Sequence, residues 1–240
     1  MAAMNRHVEI LADQFALIER SRKIVVDLIH EAVNASDRFT IALSGGSTPK
    51  NLYAALANES LPWSKIHVFW GDERYVPATH QDSNQLMARQ AWLDKIEIPA
   101  SNIHPMNTTG ADPQQDAQRY EVELREFFQK PQGFPAFDLI LLGMGDDGHT
   151  ASLFPHTDAL SVGDRLITVG NKDGQPRLTF SVPLINQANY VLFIVAGANK
   201  RPALKQVFAT QGDEMQYPSR LIQPQGELLW LLDQAAAAEL

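Results

Sequence analysis

Residues 141–155 read LLGMGDDGHTASLFP, an apolar run that breaks into a turn carrying Gly143, Gly145 and Gly148 together with Asp146, Asp147 and His149. Asp147 stands two residues before His149. A turn at that spacing lets one carboxylate orient the imidazole and raise its basicity, while the glycines leave the ring open to a substrate. The same glycines match G-x-G-x-x-G, the dinucleotide fingerprint, but Asp146 and Asp147 would put carboxylates where a pyrophosphate must lie. Pro155 also follows Gly148 by seven residues, too soon for the long helix such a ligand requires. A nicotinamide cofactor is therefore not expected. The other histidines (His7, His30, His67, His80, His104 and His156) have no comparable setting and read as structural or solvated.

Two further segments carry chemistry. SGGSTP (44–49) offers Ser44, Gly45, Gly46 and Ser47 as hydroxyls and consecutive backbone N–H groups at a helix start, a combination that cradles phosphate. It lacks the lysine and spacing of a P-loop, and a tight turn capped by Thr48 accounts for the same letters. GDERYVP (71–77) crowds Asp72, Glu73 and Arg74 just past an aromatic, apolar strand. Alone it reads as a solvated charged turn; at a strand end it faces the crevice of the first segment. There is no cysteine, no G-x-S-x-G and no H-E-x-x-H in the chain. A histidine without serine, thiol or metal partner points to activation of water or to proton transfer on the substrate.

These segments need elements that hold them together. Ile10, Leu11, Phe15, Ile18, Val25, Leu28, Ile29 and Val33 recur at three-to-four spacing and predict one or two amphipathic helices. RFTIAL is then a strand, and TPKNLYAALAN a helix with Thr48 as cap and Pro49 in its first position. KIHVFW, a helix over 83–96, a short strand at NIHPM, a helix from Asp112 to Phe128 and the strand AFDLILLG continue the alternation. RLITVG, PRLTFSVPLINQ, NYVLFIVAG, a helix from Lys200 to Ala209, GELLWLLD and an alanine-rich helix complete it. Near-continuous apolar strands alternating with helices predict an α/β fold, doubly wound around a mainly parallel sheet with helices on both faces. QKPQGFPAF (129–137) reads as a helix-to-strand loop, so residues 1–240 are expected to form a single domain. In such sheets ligands sit outside the carboxyl ends of strands, where all three segments fall.

The 240 residues are 45% hydrophobic, enough for a sizeable core. Twenty Lys and Arg against 28 Asp and Glu give a net charge of −8, which argues against nucleic acid or anionic lipid as partner. An anionic small molecule then needs a local basic pocket. The first twenty residues carry acids among their apolar positions and read neither as a signal peptide nor as a membrane span. The absence of cysteine suits a reducing cytoplasm.

ALSGGSTPKNLY, FWGDERYVP and LLGMGDDGHTASLFP, in this order, resemble the 6-phosphogluconolactonase family within the glucosamine-6-phosphate isomerase superfamily, and PRLTFSVPLIN and VLFIVAGANKRPAL fit the same pattern. The resemblance implies a Rossmann-like sheet and hydrolysis of 6-phospho-D-glucono-1,5-lactone, a phosphorylated sugar lactone, with neither metal nor cofactor. It implies His149 as the base that activates water, Asp147 as the group that orients it, and Arg74 as the cation at the oxyanion. Phosphate contacts are implied for Ser44 to Ser47, Arg177 and Lys200, with Asp72 and Arg201 as further candidates. Related amino-sugar-phosphate deaminases carry a glutamate a few residues after the histidine; HTASLFPHT has none. A non-catalytic sugar-phosphate sensor would be expected to lose the base or the cation, and both are present.

Overall fold

The structure is a computed structural model and describes residues 6–240. In chain order the elements are β1 (Arg6–Leu11), α1 (Gln14–Ser36), β2 (Phe39–Leu43), α2 (Ser47–Leu56), β3 (Ile66–Trp70) and β4 (Asp72–Arg74). There follow α3 (Asn84–Ala91), β5 (Ile103–His104), α4 (Pro113–Phe127), β6 (Leu139–Leu142), β7 (Ile167–Lys172) and β8 (Gln175–Phe180). The last are α5 (Val182–Asn186), β9 (Tyr190–Val195), α6 (Arg201–Phe208), β10 (Glu227–Asp233) and α7 (Gln234–Ala237).

Seven strands form one sheet in the order β1-β10-β9-β6-β2-β3-β5, parallel at every pairing. Every residue of β2 and β6 is buried, as expected for strands covered on both sides. Phe127 of α4 packs on Phe69, and Phe208 of α6 packs on Trp230; the ladder Phe69–Ala42–Ile140–Val191–Leu228 puts both contacts on one face. On the opposite face Arg20 of α1 reaches Glu9, and α1 packs against α2. Helices thus cover both faces, and the doubly wound α/β architecture is as the alternation predicts. Among the described residues no helix is long and apolar enough to cross a membrane.

Three local expectations are corrected. Ile10 and Leu11 belong to β1, because Arg6–Leu11 completes the edge of the sheet by pairing with β10; only the periodicity after them is helical, and it forms one helix. Asp13 accepts the N–H of Ala16 at 2.8 Å and caps that helix, an interaction worth about 1 kcal/mol. Thr48 is not a cap: Gly46, at φ 106°, is the N-cap of α2, so Thr48 and Pro49 lie inside the first turn. Asp72–Arg74 is not a turn but β4, which joins β8 and β7 in a separate antiparallel sheet of order β4-β8-β7.

His67 and His104 serve packing. His104 stacks on Phe69 with ring centroids 4.3 Å apart, and His67 lies 4.8 Å from Phe127. Burial, then the neighbouring His104 and Arg38, push His67 down to about 4, so it stays neutral at physiological pH.

Candidate active site

From β2 the chain winds through β3 and β5 toward one edge, and from β6 through β9 and β10 toward the other, which the N-terminal β1 completes. The winding reverses between β2 and β6, where the segments after two adjacent strands part and open a crevice. The cleft there has a volume of about 440 Å³. Its walls are the segments after β2, β3, β6 and β9, closed on one side by the small sheet.

The GMGDDGH turn is held firmly for all its glycine. Gly145 N–H donates to the His149 carbonyl at 2.9 Å, and Gly148 N–H donates to the Gly145 carbonyl at 3.1 Å. Gly148, at φ 82°, offers its own carbonyl to Ser219, which donates both its N–H at 3.0 Å and its hydroxyl at 2.8 Å. On this frame Asp147 Oδ1 sits 2.5 Å from His149 Nδ1 and accepts the His149 N–H at 3.1 Å. Burial opposes ionisation of Asp147, but the hydrogen bonds from the His149 ring and backbone prevail and hold its carboxyl at about 2. A carboxylate on Nδ1 places the proton of the neutral ring there and leaves the lone pair on Nε2. The imidazole also packs 4.5 Å from the ring of Phe154.

Gly145 is required by close approach. A Cβ there would overlap the His149 ring and press on Asp147 Oδ1. Gly145→Ala should therefore swing the imidazole off its carboxylate and lower turnover by about 10²-fold, the scale of a 1 Å misplacement. Steady-state kinetics with a melting curve checks this; full activity in a folded variant would show that the ring needs no such seat.

Asp72 and Arg74 enter from β4. Asp72 is buried and accepts the Ser152 hydroxyl at 2.6 Å, tying the small sheet to the segment after His149. Arg74 stands directly opposite Arg177 of β8, so two guanidiniums lie side by side along the cleft. Burial, then Arg74, pushes Arg177 down. Arg74 donates Nη1 to the Asp82 carbonyl at 2.6 Å, yet Nε of both arginines is buried without a partner. Unsatisfied donors beside a second positive charge are the signature of a place meant for an anion.

Ser44, Gly45, Gly46 and Ser47 form the wall opposite the GMGDDGH turn, and the Ser44 hydroxyl is likewise buried without a partner. Tyr53 grips this segment, accepting the Ser44 N–H at 3.0 Å and donating to the Ser44 carbonyl at 2.8 Å. Lys200 reaches in after β9; its Nζ lies 2.5 Å from Asp146 Oδ1, which also accepts Asn199 Nδ2 at 2.9 Å. That contact with Lys200 chiefly holds Asp146 below the ordinary carboxylate range.

Nine of the expected catalytic and binding residues line this cleft: Ser44, Gly45, Gly46, Ser47, Asp72, Arg74, His149, Arg177 and Lys200. Asp147 stands behind His149. Arg201 is not brought to the cleft with them: its Nε donates to the Ala235 carbonyl at 2.6 Å, packing the start of α6 against α7. Sequence reasoning missed Asn84 and Lys172. Asn84 packs its amide where a Cβ of Gly45 would be and donates to the Asp72 carbonyl at 2.9 Å, linking two walls. Its only mark in the sequence is Ser83 before it, which caps α3. Glu73 stabilises the same helix start, accepting the N–H of Asn84 and of Gln85 at 2.7 Å each. Lys172 could have been found from Asp173-Gly174, a strong hairpin signal.

Residues 12–230 match the family described as glucosamine-6-phosphate isomerases/6-phosphogluconolactonase. The chain belongs to this family. Over 99% of both chains it is 65% identical to a 6-phosphogluconolactonase of Synechocystis and 63% identical to one of Nostoc. Among solved structures, a 6-phosphogluconolactonase from Trypanosoma cruzi superposes with a TM-score of 0.88 at 29% identity, covering 99% of this chain and 98% of the other. The superposition thus spans nearly the whole chain, the small antiparallel sheet included.

Proposed function

We propose that this protein hydrolyses 6-phospho-D-glucono-1,5-lactone to 6-phospho-D-gluconate in the oxidative pentose phosphate pathway. The observation that carries the reading is the meeting, in one cleft, of a carboxylate-backed imidazole with two arginines whose Nε groups lack acceptors and a glycine-serine cradle. The similarity to 6-phosphogluconolactonases over the full chain supports the same substrate.

In the proposed mechanism Nε2 of His149 takes a proton from water as that water attacks the lactone carbonyl. Asp147 keeps Nδ1 protonated and offsets the charge that develops on the ring. Arg74 faces the tetrahedral oxyanion, an interaction able to lower the barrier by about 3 kcal/mol. Collapse of the intermediate breaks the bond to the ring oxygen, which takes the proton from His149. The phosphate is held by the Ser44–Ser47 segment, Arg177 and Lys200, and so fixes the lactone without taking part in the bond changes. Such a site lets an acidic protein capture an acidic metabolite. Both sheets contribute to it, which supports reading residues 1–240 as one domain, and the cysteine-free composition suits a cytoplasmic location.

The test is acid release from freshly generated 6-phosphogluconolactone, corrected for spontaneous opening, with deamination of glucosamine 6-phosphate run alongside. Hydrolysis without ammonia release is the expected result, since residues 150–157 supply no acid after His149. Ammonia release without lactone hydrolysis would reverse the assignment.

A further inference from the structure

We infer that Lys172 is a further substrate-binding residue, a third cation that the small sheet directs at the phosphate of the lactone. The inference rests on the lactonase reading above. In an antiparallel sheet directly opposed residues share a face, and every second residue along a strand returns to it. Arg74 opposes Arg177, and Arg177 opposes Gly170. Lys172 stands two positions after Gly170, opposite Gln175, and so projects from the same face as both arginines. That face is turned toward the catalytic turn, since the Ser152 backbone rests where a Gly170 Cβ would be.

The side chain is also well aimed. Lys172 occupies the last rung of the β7–β8 ladder, where Asp173 at φ 53° and Gly174 at φ 82° close a two-residue turn. Gly174 N–H donates to Asn171 Oδ1 at 2.9 Å, so the rung is not a loose loop end. Lys172 lines the cleft, and its Nζ lies 5.6 Å from the Phe154 ring centroid, with the Arg177 guanidinium 5.4 Å from the same centroid. Lys200 is held by Asp146, whereas among the described residues no carboxylate forms an ion pair with Lys172. An exposed ammonium at the rim beside two guanidiniums suits a dianion arriving from solvent.

The test compares wild type with Lys172→Gln and Lys172→Arg for hydrolysis of the phosphorylated and the unphosphorylated lactone, and for binding of 6-phosphogluconate by calorimetry. Lys172→Gln should raise KM for the phosphorylated lactone about five- to tenfold, with kcat nearly unchanged and product binding weakened by a similar factor. Lys172→Arg should restore most of both losses. KM for the unphosphorylated lactone should not move, which a merely structural role would not predict. Unchanged KM and product affinity in Lys172→Gln would overturn the inference, as would an equal rise in KM for both lactones. A wild type that binds 6-phosphogluconate through Lys172 but hydrolyses no lactone would instead sink the lactonase reading and leave the phosphate contact standing.

Discussion

Replacing His149 by glutamine should lower kcat for lactone hydrolysis by about 10³-fold, the middle of the range that a positioned general base contributes. The side chain sits at the cleft wall and is not part of the apolar core, so the variant should fold and melt as wild type does. Asp147→Asn should cost about 10²-fold through the same ring, because an amide can hold the opposite tautomer as easily as the productive one. Asp147 is itself a carboxylate at every pH an assay would use, its carboxyl being held at about 2. Combining the two changes should cost little more than His149→Gln alone, since Asp147 acts only through the imidazole. Wild-type turnover in a folded His149→Gln protein would remove this residue from the mechanism.

Deleting the phosphate from the substrate should be equally damaging. Charge-assisted hydrogen bonds contribute about 1.5–3 kcal/mol each, so two of them used to seat the lactone correspond to a loss in kcat/KM of about 10³-fold. Unphosphorylated gluconolactone should show that deficit, and Arg177→Ala should reproduce about a tenth to a hundredth of wild-type kcat/KM toward the phosphorylated substrate. The variant should treat the unphosphorylated lactone almost as wild type does. Equal kcat/KM for the two lactones in the wild-type enzyme would show that the cradle and the arginine do not read the phosphate.

Most of the parallel sheet was legible because strands buried on both faces, such as Phe39–Leu43 and Leu139–Leu142, are largely apolar runs too short for a helix and end at glycine-rich turns. The cleft was legible because ligand-bearing segments collect at strand carboxyl ends. What escaped depended on contacts distant in sequence. Ile10 and Leu11 continue a helical spacing by coincidence, and only pairing with β10 makes them strand. Asp72–Arg74 looks like a charged turn until β8 supplies the other half of its ladder. Arg201 stands beside Lys200 in the chain, but the rotation of about 100° between successive helical residues carries the two side chains to different partners, Ala235 and Asp146. Asn84 has no local signal beyond the capping Ser83, since its value lies in filling the space above Gly45.

Ser219 occupies the Gly148 carbonyl with two donors. The peptide plane leading into His149 therefore inherits its tilt from a segment some seventy residues downstream. Transplanting 143–157 into a homologue whose 213–222 region differs would carry over the letters of the active turn but leave the imidazole free to wander. Exchange between such enzymes has to move the two segments as a unit.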